Sequence, residues 1–321
     1  MRSPTSRPFR RGRFAELPET PRRPHRFFDV PERRVVVPSS AFGRVGIHYR
    51  ELGEGAPLLL VHGLMTTSYS WRYVIEPLAR DHRVVAIDLP GCGRSDKPAG
   101  ARYGGPELAA FLVELVDALG VRGGRVVGNS MGGYLCMRAA LADGGAFGQL
   151  VNIHSPGVPD WRYRALGTLL AAPGVAAALA WWVRRAPQRW AHRNVHYFDE
   201  TLKSLEEAAE YGDLLASADG ARAFVGYLKD AFAPRDIAAF TAGLAARRDQ
   251  QQPFPVPLLL LYARQDPLVP PSVGERLHAL VPDAPLRWLD STSHFAHVDT
   301  PDAVVDELRA FFGGAQRDRV A

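Results

Sequence analysis

Residues 128–132 carry the sequence Gly-Asn-Ser-Met-Gly, and they decide the fold of this 321-residue chain. They follow a short apolar run, Arg125–Val127, and precede a segment with helical spacing, Met131–Leu141. A serine at a sharp turn from strand to helix has strained dihedral angles, and its neighbours two positions away must lack side chains for the turn to close. The spacing therefore predicts a nucleophile, Ser130, at the edge of a parallel β-sheet.

Short apolar runs alternate with helical patterns along the rest of the chain. Two β-rich runs, Val35–Val37 and Val45–Tyr49, are separated by turn residues and predict an antiparallel pair. Six further strands are predicted at Leu58–Val61, Val84–Ile87, Arg125–Val127, Leu150–Ile153, Leu258–Leu261 and Leu286–Leu289. Helical patterns between them indicate βαβ units, so we expect an α/β core formed by residues 33–155 and 253–321. Residues 156–252 break the alternation and are predicted to form an inserted helical cap.

A serine nucleophile needs a base, and the base needs a carboxylate that orients it. In this architecture the acid and then the histidine follow the serine along the chain. Asp266 comes after the predicted strand Leu258–Leu261, and His294 comes after Leu286–Leu289. Because parallel strands end at the same edge of a sheet, we expect Ser130, Asp266 and His294 to meet there.

Other residues compete for these roles. Asp160 follows the strand before the cap and is the alternative acid, whereas Asp290 is expected to cap a turn. Cys92 has no histidine and acid arranged around it, so we do not expect a cysteine nucleophile. His192 and His196 have the spacing of a helical metal pair, but neither the glutamate of that motif nor a third ligand accompanies them. We therefore expect no metal and no cofactor.

The negative oxygen that forms during serine catalysis needs two backbone N–H donors. Met131, directly after the nucleophile, is expected to supply one. The other is expected from Leu64, because Gly63 lets the backbone turn inward, and Met65 is the alternative. Four residues are expected near the substrate on position alone: Met65, His154, Trp161 and His297.

The net charge of +5 is unevenly distributed. Residues 1–34 hold ten arginines against four acidic residues, so the rest of the chain is close to neutral and a nucleic-acid partner is not expected. Residues 1–32 are rich in Arg and Pro without apolar periodicity, which predicts a disordered tail. That tail has no apolar signal segment and the chain has only two cysteines, so we expect a cytoplasmic protein.

From about Arg33 to Phe312 the sequence resembles the α/β-hydrolase family. The resemblance implies an eight-stranded, mostly parallel sheet flanked by helices, with an inserted helical cap. Residues 62–98 are similar to the haloalkane dehalogenase and epoxide hydrolase branch. Those enzymes use an aspartate nucleophile where this chain has Ser130, and the dehalogenases have a halide-binding asparagine where it has Leu64. Dehalogenation and epoxide opening are therefore disfavoured.

We expect a serine hydrolase acting on a carboxylic ester with a hydrophobic acyl or alcohol part, because the predicted cap is rich in aromatic residues. The turn around Ser130 is also similar to that of carbon–carbon bond hydrolases, although their Gly-Pro-Gly run after His-Gly is absent. That activity, acyl transfer and a ligand-sensing receptor stay open as alternatives. Leu166–Val183 is uncharged, contains Trp181 and Trp182 and is flanked by arginines, so contact of the cap with a membrane surface is a further hypothesis.

Overall fold

The computed structural model describes residue 9 and residues 12–317, and its centre is an eight-stranded sheet. The strands are β1 (Glu32–Ser39), β2 (Gly43–Leu52), β3 (Ala56–Val61), β4 (His82–Ile87), β5 (Arg125–Asn129), β6 (Gln149–Ile153), β7 (Leu258–Ala263) and β8 (Leu286–Leu289). Their order across the sheet is β1-β2-β4-β3-β5-β6-β7-β8. The β1–β2 and β2–β4 pairs are antiparallel and all other pairs are parallel. The predicted α/β fold and its antiparallel opening are confirmed, and the sheet is mixed.

Helices cover both faces of this sheet. They are α1 (Ile75–Leu78), α2 (Gly105–Ala118), α3 (Met131–Ala142), α4 (Trp161–Ala171), α5 (Val175–Arg185), α6 (Pro187–Asn194), α7 (Leu205–Gly212), α8 (Ala218–Asp230), α9 (Pro234–Asp249), α10 (Pro271–Leu280), α11 (Ala296–Asp299) and α12 (Pro301–Arg317). Alternate residues of a strand face opposite sides, so Leu59 joins one hydrophobic cluster while Leu58 and Leu60 join the other. Burial on both faces explains why the central strands are uninterrupted apolar runs.

Six helices, α4–α9, lie between β6 and β7, where the sequence predicts the cap. Part of this insertion has its own small hydrophobic cluster, formed by Leu170, Val183, Leu215, Phe224 and Val225. Helix α9 differs, because Ile237, Phe240 and Leu244 pack in the main cluster of the sheet. The last helix of the predicted cap is therefore part of the sheet's packing.

The prediction of a disordered tail at residues 1–32 is wrong for residues 12–32, the last of which already belongs to β1. Phe27 is 1% exposed and packs in the cluster on one face of the sheet. Arg23 Nη1 donates to the Val298 carbonyl at 2.8 Å, and the Glu206 amide donates to the Glu19 carbonyl at 3.0 Å. A few apolar and hydrogen-bonding anchors are thus enough to order a segment whose average composition is typical of disorder. The predicted tail at residues 1–8, 10 and 11 lies outside the described residues.

Among the described residues, no single helix is long and apolar enough to cross a membrane. Helices α4 and α5 reach that length and composition only together, as a pair bent by 97°.

Candidate active site

Ser130 lies at the turn between β5 and α3 in a strained backbone conformation. Its φ is 53° and its ψ is −118°. A Cβ atom on Gly128 would lie 2.5 Å from the Gly132 carbonyl carbon, and one on Gly132 would lie 2.3 Å from the Val61 carbonyl oxygen. Both contacts are with backbone atoms, so only glycine fits at these two positions. The structure therefore has the tight turn that the Gly-x-Ser-x-Gly spacing predicts.

Asp266 and His294, predicted from the ends of β7 and β8, are hydrogen-bonded to each other. His294 Nδ1 lies 2.7 Å from Asp266 Oδ2, and Asp266 Oδ1 accepts from the amides of Leu268 and Val269 at 2.7 and 2.9 Å. Burial alone would raise the pKa of Asp266, but the charge and hydrogen bond of His294, with the Val269 amide, lower it below its ordinary value. An ionised carboxylate only accepts hydrogen bonds, so Nδ1 of His294 is the donor to Asp266.

Asn129 ties the histidine loop to the serine turn, a role that no sequence pattern indicated. Its Nδ2 donates to the His294 carbonyl oxygen at 3.0 Å, and its side chain is fully buried. The Ser130 amide donates to the Ile153 carbonyl at 2.7 Å, which fixes the same turn to β6. Asn129 is therefore a positioning residue for His294, detectable only once the two loops are seen together.

The loop after β3 lies directly beside the serine. A Cβ atom on Gly63 would lie 3.2 Å from Ser130 Cβ, so any other residue here would crowd the serine turn. The Gly63 carbonyl is in contact with His62 Nδ1 at 2.7 Å and accepts from Thr66 Oγ1 at 3.1 Å. In a trans peptide the carbonyl and the next N–H point in opposite directions, so the Leu64 N–H points away from these donors.

His62 holds this loop as a neutral imidazole. Burial lowers the pKa of His62, and its Nε2 accepts from the Leu89 amide at 3.1 Å, which leaves Nδ1 to donate to Gly63. The other expected N–H donor, Met131, is the first residue of α3, so its N–H has no acceptor within the helix. Both predicted oxyanion donors therefore lie on backbone segments adjacent to Ser130.

Ser130 and His294 line one cavity of about 310 Å³. Its other lining residues are mostly apolar and come from the sheet loops and the inserted helices: Leu64, Met65, Pro156, Arg162, Tyr163, Leu166, Asn194, Val195, Phe232, Leu268, Val269 and Phe295. The side chains of Ser130 and His294 thus open onto a space suited to an apolar ligand.

The structure places the four residues expected near the substrate in different environments. Met65 lines the cavity. Trp161 does not line it: the side chain is 75% exposed at the first turn of α4, because sequence position alone does not give the direction of a helical side chain. His297 is fully buried against Trp71, with ring centroids 4.3 Å apart. His154 is fully buried behind the site, 5.8 Å from His294 between ring centroids.

His154, Asp266 and His294 also offer three ligand atoms within 4.8 Å of one another, the kind of group that can hold a metal ion. The Asp266–His294 pair already uses its facing atoms in a 2.7 Å hydrogen bond. Burial lowers the pKa of His154 to about 4, so its ring is neutral. Asp266 and His294 thus form a hydrogen-bonded pair beside a buried neutral imidazole.

The competing residues have other partners. Asp160 accepts from the Arg162 amide at 2.8 Å and caps α4. Asp290 has a 79% exposed side chain and lies 3.6 Å from Arg264. Burial raises the pKa of the Cys92 thiol to about 12, which keeps it protonated and a poor nucleophile.

His192 and His196, which have the spacing of a helical metal pair, are not on one helix. Helix α6 ends at Asn194, so His196 lies beyond it. His192 Nε2 contacts the Gly12 carbonyl at 3.1 Å, whereas His196 Nδ1 contacts Glu200 at 3.3 Å. The two imidazoles therefore contact different groups through these atoms.

Comparison with known proteins decides the family. The family model described as "alpha/beta hydrolase fold" matches residues 56–301. The chain belongs to this family. It is accordingly a hydrolase by fold and by relationship, and the resemblance found in the sequence is confirmed.

Several relatives show the breadth of this family. Haloalkane dehalogenase 2 of Mycobacterium tuberculosis is 29% identical over 273 residues, which cover 83% of this chain and 91% of the relative. The 2-hydroxy-6-oxo-2,4-heptadienoate hydrolase of Pseudomonas putida is 26% identical over 263 residues, covering 80% and 89%. A meta-cleavage product hydrolase structure from Pseudomonas fluorescens aligns with a TM-score of 0.67 at 21% identity, covering 90% of this chain and 99% of that one, and shows the shared fold.

Proposed function

We propose that this alpha/beta hydrolase is a serine hydrolase that cleaves carboxylic esters with a hydrophobic acyl or alcohol part. The observation that carries the proposal is that Ser130, on its strained turn, lines the same apolar cavity as His294, which is paired with Asp266 at 2.7 Å. These groups match the roles of nucleophile, base and orienting acid.

The proposed reaction follows from the roles of Ser130, His294 and Asp266. His294 Nε2 takes the proton of Ser130 as its Oγ attacks the ester carbonyl carbon, and Asp266 stabilises the imidazolium that forms. The N–H groups of Leu64 and Met131 stabilise the negative oxygen. His294 then gives its proton to the leaving alcohol, and an acyl-enzyme remains on Ser130. Water, activated by the same imidazole, releases the acid.

The cavity lining supports an apolar acyl group. Each methylene buried in an apolar site contributes about 0.8 kcal/mol, which corresponds to roughly a fourfold gain in kcat/KM. We therefore expect kcat/KM for p-nitrophenyl esters to rise from acetate to longer chains until the cavity is filled.

The test is hydrolysis of p-nitrophenyl esters from acetate to palmitate by the wild type and by Ser130→Ala. Loss of the nucleophile should lower kcat by a factor of about 10³ or more. Ser272→Ala, an exposed serine on α10, is the matched control and should leave turnover unchanged. Equal activity of Ser130→Ala and wild type would refute the assignment of Ser130 as the nucleophile. If the folded wild type hydrolysed none of the esters, the proposal of an ester substrate would be refuted.

A second candidate is carbon–carbon bond hydrolysis on the same residues. It is favoured by the relative from Pseudomonas putida named as a 2-hydroxy-6-oxo-2,4-heptadienoate hydrolase. Incubation with that compound distinguishes the candidates. Cleavage that depends on Ser130, without ester turnover, would replace the ester proposal.

A further inference from the structure

The four most exposed large apolar side chains of the described residues lie on two consecutive helices. Trp161 is 75% exposed and Leu169 58% exposed on α4, while Trp181 is 57% and Trp182 52% exposed on α5. Other side chains of these helices are packed, since Leu170 and Val183 are buried in the small hydrophobic cluster of the insertion. The four exposed side chains are called here the α4–α5 surface; Trp182 also packs edge-on against Trp190, with ring centroids 4.8 Å apart, and is still 52% exposed. Exposed apolar patches of this kind mark interaction sites.

The charged side chains along α4, α5 and α6 are all positive, although Arg162 is ion-paired with Asp160, the residue that caps α4. Residues 161–198 contain no Asp or Glu and six arginines: Arg162, Arg164, Arg184, Arg185, Arg189 and Arg193. The Arg185 guanidinium lies 4.3 Å above the Trp181 ring, so a positive charge and an exposed indole are adjacent at this point of the surface. The complementary partner is anionic and has an apolar layer beneath its charges.

We propose that the α4–α5 surface docks on an anionic phospholipid bilayer. Its tryptophans would lie at the level of the headgroups and its arginines on the lipid phosphates, as in peripheral proteins that bind the interface. A second copy of this chain fits less well, because a symmetric pairing would place the same arginines against each other. An acidic soluble protein would match the charge but not the exposed indoles.

Helix α4 connects this surface to the candidate active site. Trp161 and Leu169 point outward, whereas Tyr163 and Leu166 line the cavity that contains Ser130. Docking would thus bring the cavity next to a reservoir of acyl chains. This delivery of a lipid-derived ester rests on the proposed function, whereas the docking itself does not.

The experiment is sedimentation of the full chain with vesicles of phosphatidylcholine alone or mixed with phosphatidylglycerol, at low and high NaCl. We expect binding to the mixed vesicles that weakens with salt, and binding roughly tenfold weaker for the double variant Trp181→Ala/Trp182→Ala. Phe28→Ala, a 46% exposed aromatic away from α4 and α5, is the matched control and should bind like the wild type. Ser130→Ala should also bind like the wild type, so loss of hydrolysis and loss of docking are distinguishable.

A measurement without substitutions guards against a variant that does not fold. Brominated lipids in the mixed vesicles should quench the tryptophan fluorescence of the wild type. No binding to the mixed vesicles, no quenching, or equal binding by the folded double variant would overturn the proposal. So would a wild-type dimer in sedimentation equilibrium that the double variant converts to monomer, because the α4–α5 surface would then be a subunit interface.

Discussion

Replacing Phe27 by alanine tests whether the Arg- and Pro-rich segment is part of the folded body. The ring is 1% exposed and makes an edge contact with Tyr69 at 5.4 Å between centroids. The Arg50 guanidinium lies 4.7 Å above it. Truncation would leave a cavity between the segment and the sheet and would remove one of several partners of the buried Arg50, which is also paired with Glu32.

The expected cost can be worked from these contacts. Truncation of a buried phenylalanine lowers the free energy of unfolding by about 3–5 kcal/mol. Phe28→Ala, at a neighbouring ring that is 46% exposed, should cost less than about 1 kcal/mol. Urea unfolding followed by circular dichroism measures both.

An equal free energy of unfolding for Phe27→Ala and wild type would refute the claim that the N-terminal segment packs on the folded body. A proteolysis experiment on the wild type gives an independent answer. Trypsin cleaves after Arg26 only if the segment leaves the surface, and the buried Phe27 next to it predicts protection under native conditions. Rapid cleavage there, with the rest of the chain intact, would also contradict the structure.

Three further predictions concern the site and its surroundings. Asp266→Asn should lower kcat for esters by about 10³-fold or more, because an amide no longer holds the His294 tautomer, while Asp290→Asn, with its exposed side chain, should leave kcat unchanged. Asn129→Ala should lower kcat about tenfold with little change in KM, since one buried hydrogen bond to the His294 loop is lost; an unchanged kcat would contradict its positioning role. Burial and nearby positive charge hold the pKa of His297 well below its ordinary value. Between about pH 7 and about pH 5 the unfolded chain therefore binds a proton at this residue and the folded chain does not. The free energy of unfolding falls as the pH drops through this range. His297→Phe should reduce that fall by up to about 2 kcal/mol in urea unfolding at the two pH values, and an identical fall in both proteins would argue against a buried neutral imidazole.

The sheet and the three proposed catalytic residues could be predicted because local rules determine them. Strands buried on both faces are apolar runs, and parallel strands end at one edge, so Asp266 and His294 had to lie near the serine turn. The glycines beside Ser130 are required by backbone contacts that any chain with this turn must meet. Each of these inferences needs only a few residues in sequence.

The rest depends on contacts between distant segments. The docked N-terminal segment is held by single anchors such as Phe27, which a composition average over 32 residues hides. Trp161 and Tyr163 are two residues apart on α4, yet one is exposed and the other lines the cavity. Asn129 has its role only because the His294 carbonyl comes within 3.0 Å of it. No local pattern encodes these relations.

Labelling with a fluorophosphonate, which reacts with activated serines, tests the central claim most directly. Peptide mass spectrometry of the native wild type should show one phosphonate adduct, on Ser130, and none after denaturation before labelling. Ser130→Ala should not be labelled, and Ser272→Ala should be labelled like the wild type. A native protein that is not labelled at Ser130, or a Ser130→Ala variant labelled as fast as the wild type, would contradict the assignment of Ser130 as an activated nucleophile.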